Sequence, residues 1–193
     1  MVIRKIFRFE NTHIVRGCST KRCRTSIHGH SYKVEVLFEA TTLDDAQMVY
    51  DFGLMKGNIQ DLIESFDHSV TLWNKDDAGY IAAMKKYSDR WVELPVSPTA
   101  EQFARVIFLM VDLLLLNTIF TNGEGKVSVN SVIVHETDRG YAKADAKDAY
   151  SESMGIINLN DIVFSEGVRE DWGSVSLWEN ILNGKKFINP KTV

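Results

Sequence analysis

The sequence predicts an α+β fold: an antiparallel four-stranded sheet with two helices on one face. Three observations carry this. Two stretches rich in β-branched and aromatic residues open the chain. Two segments with apolar residues at helical spacing follow, and two more β-rich stretches joined by a tight turn come after them. The order strand, strand, helix, helix, strand, strand leaves both helices to cover the apolar face of one sheet.

Val2 to Glu10 mixes Val, Ile and Phe with Arg and Lys and reads as the first strand. Residues 16–26 are small, polar and basic and read as a loop. His30 to Ala40 is a second strand with Tyr32, Val34, Val36 and Phe38 on one face. Leu43 to Ala46 is turn-like. Ile59, Leu62, Ile63 and Phe66 mark a helix that ends near Asp67-His68. Residues 69–96 hold aromatics among charges and read as an insertion, with a short helix within Asp76 to Ser88. Ser97-Pro98 reads as an N-cap followed by a first-turn proline. The helix behind it carries Phe103, Val106, Ile107, Met110, Leu113 and Leu114. Val127 to Glu136 is a Val/Ile-rich strand, and Asp138-Arg139-Gly140 signals a hairpin into a fourth strand. The expected organisation is a domain over 1–146 carrying the insertion at 69–96. A C-terminal extension over 147–193 is too apolar for disorder and is expected to pack on the domain or on a neighbouring subunit.

Composition excludes several classes. Residues 1–38 carry a net charge of +6, which leaves −10 for the rest of a chain whose total is −4. The acidic remainder argues against nucleic acid as partner, while the basic start suits an anionic ligand. The most apolar run, Val106 to Leu116, contains Asp112 and is too short to span a bilayer, so no membrane role is expected. Two cysteines form no disulfide framework, no leader segment is read, and a cytoplasmic location is the expectation.

The chemistry gathers between His13 and His30, where three of the five histidines and both cysteines lie. His28 and His30 are two apart at the start of a strand and so share a face. With His13 they can offer three neutral imidazoles and an open fourth position, the ligand set of a catalytic zinc. The same stretch allows a closed Cys18, Cys23, His28, His30 site that only staples a loop. Asp67-His68 is either a surface pair or an acid/base group oriented by a carboxylate. Glu136 is either an exposed strand-end acid or the bidentate partner of a guanidine-like edge. His135 points to the other face.

Taken together, these pieces resemble the 6-pyruvoyltetrahydropterin synthase / 6-carboxytetrahydropterin synthase family. The matching stretches are Phe9 to His13, Cys23 with Ile27 to Val34, Met48 to Lys56, Phe66-Asp67-His68, Ser97 to Glu101, and Val134 to Thr137, in family order. The resemblance implies the tunnelling fold, a ββααββ unit assembled into a multimeric barrel, and hence a homo-oligomer with active sites at subunit interfaces. It implies Zn2+ on His13, His28 and His30, and Cys23 as general base with Asp67 and His68 as acid/base partners. It implies Glu136 as pterin anchor and Thr99 as a pterin contact. The implied small-molecule substrate is 7,8-dihydroneopterin triphosphate. The implied reaction is that of a zinc lyase on the queuosine/deazapurine branch, giving 6-carboxytetrahydropterin, acetaldehyde and triphosphate. The alternatives are a pyruvoyl-type synthase of the biopterin branch and a non-catalytic zinc- or pterin-binding protein.

Overall fold

The computed structural model describes residues 1–189. In chain order the elements are β1 (Val2–His13), α1 (Lys21–Thr25), β2 (His28–Glu39), α2 (Asn58–Glu64), β3 (Ser69–Trp73), α3 (Ala78–Tyr87), β4 (Trp91–Leu94), α4 (Ala100–Leu116), β5 (Thr118–Phe120), β6 (Ser128–Thr137) and β7 (Gly140–Asp145). The C-terminal part adds α5 (Ala146–Ala149), β8 (Val163–Phe164), α6 (Glu166–Arg169), α7 (Leu177–Leu182) and β9 (Phe187–Asn189).

Alternation decides what β2 buries. Tyr32, Val34, Val36 and Phe38 are all at most 1% exposed. Phe7 and Phe9 of β1 join them, because β1 and β2 pair antiparallel over their whole length, from Val2↔Glu39 to His13↔His28. β6 pairs antiparallel with β2, and β7 with β6. The four expected antiparallel strands are therefore present as one block. The sheet does not stop there: its order is β7-β6-β2-β1-β3-β4-β8. β3 is parallel to β1 and β4 is parallel to β3, so the seven-stranded sheet is mixed.

The difference arises in residues 69–96. They form a strand–helix–strand unit, and such a crossover returns its second strand parallel to the first. β3 joins β1 only at Asn11↔Ser69 and Thr12↔Val70, beside the last turn of the hairpin. Residues 16–26 also differ from a plain loop, since Lys21–Thr25 makes a single helical turn with no buried residue.

α4 lies against β6 and β7, and α2 against β1 and α4. Twelve of the seventeen α4 residues are buried, more than one amphipathic stripe can supply. The extra burial comes from the C-terminal part, whose Val168, Trp172, Trp178 and Ile181 join the same core. Arg105, on α4 and only 3% exposed, donates to the carbonyls of Asp148, Ala149, Ser151, Met154 and Gly155. One buried guanidinium thus satisfies a run of chain that has no ladder of its own.

The start of α4 corrects the expected cap. The N-cap is Thr99, extended at φ −95° and ψ 163°, with its hydroxyl accepting from Gln102 N–H at 3.3 Å. The Ser97 hydroxyl is buried without a partner among the described residues. Pro98 therefore precedes the helix rather than opening it, and its carbonyl is aimed elsewhere.

Candidate active site

The carbonyl of Pro98 accepts from Nδ1 of His13 at 2.6 Å. His13 ends β1 and is fully buried. A carbonyl can only accept, so Nδ1 carries the proton and Nε2 is left with its lone pair. Nε2 is buried and has no partner among the described residues. Burial, with the neighbouring His28 and His30 charges adding to it, pushes the His13 pKa down to about 4. The ring is therefore neutral near pH 7, the state a metal requires.

His28 stands directly across the hairpin from His13, and His30 lies two residues on, on the same face. The ring centroids are 4.6 Å apart for His13–His28, 5.4 Å for His13–His30 and 5.3 Å for His28–His30. One nitrogen from each lies within 4.8 Å of the others. Nδ1 of His28 is bonded to the Ser26 carbonyl at 3.0 Å, which turns its Nε2 inward as well. Gly29 lets the strands close here, since a Cβ would sit 2.9 Å from the carbonyl oxygen of Asn11. An orphaned buried nitrogen, two rings tautomerically fixed by carbonyls, and a set of three imidazoles fit a divalent transition metal such as zinc.

A cavity of about 380 Å³ opens beside this set. His28, His30, Cys18, Cys23, Thr99 and Glu136 all line it. Both thiols are half-buried and free. Glu136 reaches it from the end of β6, where a register shift between His135 and Thr137 re-aims the strand. Its Oε1 is 3.7 Å from Nε2 of His30 and 3.5 Å from the Tyr32 hydroxyl. Burial, and then the Glu136 charge, raises the Tyr32 pKa, so the phenol stays a donor. His135 turns the other way and bonds Glu35 at 2.9 Å.

Asp67 and His68 do not line this cavity. His68 lines a groove with Glu10, Thr12, Gly29 and Ser31, which alternate away from the imidazoles, and with His30, which borders both spaces. Asp67 Oδ2 and His68 Nδ1 are 2.8 Å apart. His68 has φ +49°, a left-handed conformation that a histidine adopts only when held. The holding bonds are His68 N–H to Glu10 O and Glu10 N–H to Asp67 Oδ1, both 2.7 Å. Arg90 adds donations to Asp67 O at 2.9 Å and Glu64 O at 3.1 Å. The His68 imidazole is left 76% exposed.

Sequence reasoning passed over Tyr32, Glu101 and Tyr141 as site residues, although Glu101 and Tyr141 line the cavity. Glu101 was legible in Ser97 to Glu101. Tyr32 was read only as core, because its ring packs on Phe9 and Phe103 and only its hydroxyl reaches the site.

The profile of the family described as 6-pyruvoyl tetrahydropterin synthase matches residues 2–147. Two Helicobacter pylori proteins named 6-carboxy-5,6,7,8-tetrahydropterin synthase are each 35% identical over 187 residues, covering 96% of this chain and 94% of theirs. An Aquifex aeolicus protein of the same name is 30% identical, covering 76% of this chain and 97% of its own. Among solved structures, an uncharacterized protein from Wolinella succinogenes aligns with a TM-score of 0.56 at 19% identity, over 76% of this chain and 98% of its own. Caenorhabditis elegans 6-pyruvoyl tetrahydropterin synthase aligns with a TM-score of 0.51 at 18% identity, over 76% of this chain and 95% of its own.

Proposed function

This chain belongs to the 6-pyruvoyl tetrahydropterin synthase family, and from that premise we propose that it is a zinc-dependent 6-carboxy-5,6,7,8-tetrahydropterin synthase. Its substrate on this reading is 7,8-dihydroneopterin triphosphate, and its products are 6-carboxytetrahydropterin, acetaldehyde and triphosphate, on the queuosine/deazapurine route. The observation that carries the reading is the shared cavity. His28 and His30, Cys23 and Glu136 open onto one space, with the unpartnered Nε2 of His13 behind them. The carboxy rather than the pyruvoyl product is favoured by the name borne by the Helicobacter relatives, which match nearly end to end.

His13, His28 and His30 would hold the zinc, which supplies Lewis acidity toward the hydroxyls of the substrate side chain. Glu136 accepts from the amino and ring N–H groups of the pterin, as a carboxylate does from any guanidine-like edge. The Thr99 hydroxyl already accepts from Gln102 N–H, so its own proton is free for a pterin acceptor. Cys23 takes a proton from carbon as general base. The cations proposed for the triphosphate are those of the basic loop, Lys21 and Arg22 of α1 among them, both exposed. Asp67 and His68 serve the cavity of a neighbouring copy. Their exposed imidazole and the opposite face they occupy suit a homo-oligomer in which each site draws on two chains.

The test is to incubate zinc-loaded protein with 7,8-dihydroneopterin triphosphate and identify the products by mass. Equal amounts of 6-carboxytetrahydropterin and acetaldehyde are expected. A pyruvoyl product without acetaldehyde would move the protein to the biopterin branch, and an unconsumed substrate would end the enzyme reading.

A further inference from the structure

α1 buries no side chain, so hydrophobic packing does not hold the cysteine-bearing segment in place. Polar ties do. Val15 N–H donates to the Cys23 carbonyl at 3.0 Å, and Arg24 Nη1 donates to the Cys18 carbonyl at 2.7 Å. These close the loop on itself. Its exit is tied to β2 by His28 Nδ1 at the Ser26 carbonyl, 3.0 Å away, and the tie to the 69–96 unit is Arg16. Its Nε donates to Asp76 Oδ1 at 3.0 Å, its guanidinium lies over the Tyr80 ring at 5.1 Å, and its Nη1 reaches the carbonyl of Arg24 at 3.4 Å. The Asp76 side chain is only 2% exposed, and its second oxygen accepts from Trp73 N–H at 3.2 Å. A buried carboxylate fixed at both oxygens is a rigid post. Asp76 and Tyr80 both belong to the strand–helix–strand unit over 69–96.

We propose that this unit positions the cysteine: Asp76 and Tyr80 act through Arg16, whose guanidinium spans from the unit to the residue after Cys23. They are positioning residues, and the proposal rests on the role given to Cys23 above. The physical reason is range. Proton abstraction needs the sulfur within hydrogen-bond reach of one carbon-bound proton, and a misplacement of about 1 Å can cost roughly 100-fold in rate. A loop with no apolar anchor cannot meet that tolerance unless something outside it sets its place.

The experiment compares Asp76→Asn, Arg16→Gln and the double variant in the zinc-loaded protein. kcat and KM are measured on 7,8-dihydroneopterin triphosphate, and the iodoacetamide alkylation rate of Cys23 is read separately from that of Cys18 by mass spectrometry. Each single variant is expected to lose about tenfold or more in kcat with KM changed less than about twofold, because Glu136 and Thr99 still bind the pterin. Cys23 alkylation is expected to accelerate several-fold as the released loop opens. The double variant should be no worse than the worse single, since both cut one link. Tyr80→Leu leaves the Asp76–Trp73 turn intact and carries the same expectation if Asp76→Asn does not fold. Unchanged alkylation together with unchanged kcat, or additive losses in the double variant, overturns the proposal. Should the parent protein consume no pterin, the proposed reaction fails while the alkylation arm still decides whether the unit fixes the cysteine.

Discussion

Replacing His13 by leucine separates metal binding from folding. The side chain's short bond is Nδ1 to Pro98 O, with the Tyr32 hydroxyl 3.5 Å from the same nitrogen, and Nε2 is buried with no partner among the described residues. Losing the bond costs about 1 kcal/mol, and removing the orphaned nitrogen returns about 1–3 kcal/mol. Leucine is close in volume, so the metal-free protein should melt within a few degrees of the parent. The zinc response should not survive. Structural zinc sites with four ligands bind with about 10–16 kcal/mol, or roughly 3–4 kcal/mol per ligand, so losing one ligand weakens binding about 10²–10³-fold. At free zinc about 1,000 times the parent Kd, the parent gains about 4 kcal/mol, which is about 8–16 °C for a chain of this size. The leucine variant at the same zinc concentration gains about 0.4–1.4 kcal/mol, or roughly 1–5 °C. Differential scanning fluorimetry of both proteins with and without zinc measures this. A variant that keeps the parent's full zinc-induced rise would remove His13 from the ligand set and return the closed cysteine-histidine alternative.

The same residue sets a pH dependence. Folded His13 titrates at about 4 against 6.5 for an ordinary imidazole, so between those values the unfolded chain binds the extra proton. Stability of the metal-free protein should fall by about 3 kcal/mol as pH drops from about 6.5 to about 4, and urea titrations should show that slope vanish in His13→Leu. Glu136→Gln removes one charge-assisted acceptor and should raise KM about 10–100-fold with a smaller change in kcat, read by steady-state kinetics. Arg105→Met takes a buried donor from the carbonyls of Asp148, Ala149, Ser151, Met154 and Gly155 and should cost about 3 kcal/mol or more in chemical denaturation. Equal mixtures of Cys23→Ala and His68→Ala, each inactive alone, should regain about a quarter of parental activity after subunit exchange if sites are shared between chains. No recovery would confine each site to one chain.

What was legible in the sequence was whatever repeats locally. The alternation Tyr32, Val34, Val36, Phe38 foretold the buried face of β2, and the apolar run from Phe103 to Leu114 foretold α4. The imidazole set was legible for the same reason, since two histidines two apart on a strand must share a face and the hairpin returns His13 to them. The rest depended on pairs far apart in the chain. β3 and β4 are only five and four residues long, too short for periodicity to separate them from loop. The Ser97-Pro98 signal was sound in itself. It was overridden because His13, 85 residues away, takes the Pro98 carbonyl and the cap passes to Thr99. No local pattern announces that Asp76 grips Arg16 across 60 positions, or that Arg90 bonds the carbonyl of Asp67.

These long ties share a direction. The 69–96 unit reaches the cysteine loop through Asp76 and the Asp67-His68 corner through Arg90, and those segments lie on opposite faces of the hairpin. A sheet edge that carried only β1 would leave the cysteine loop to the His28–Ser26 bond and the Asp67-His68 corner to its bonds with Glu10, because α1 is unburied and Arg90 would be gone. The added strands therefore change more than the width of the sheet. They give two exposed, polar and weakly packed segments a rigid mount, at the one edge of the hairpin where the imidazoles end. Removing the mount should loosen both segments and leave the His13, His28 and His30 set in place, since that set is held by the β1–β2 register and by Pro98.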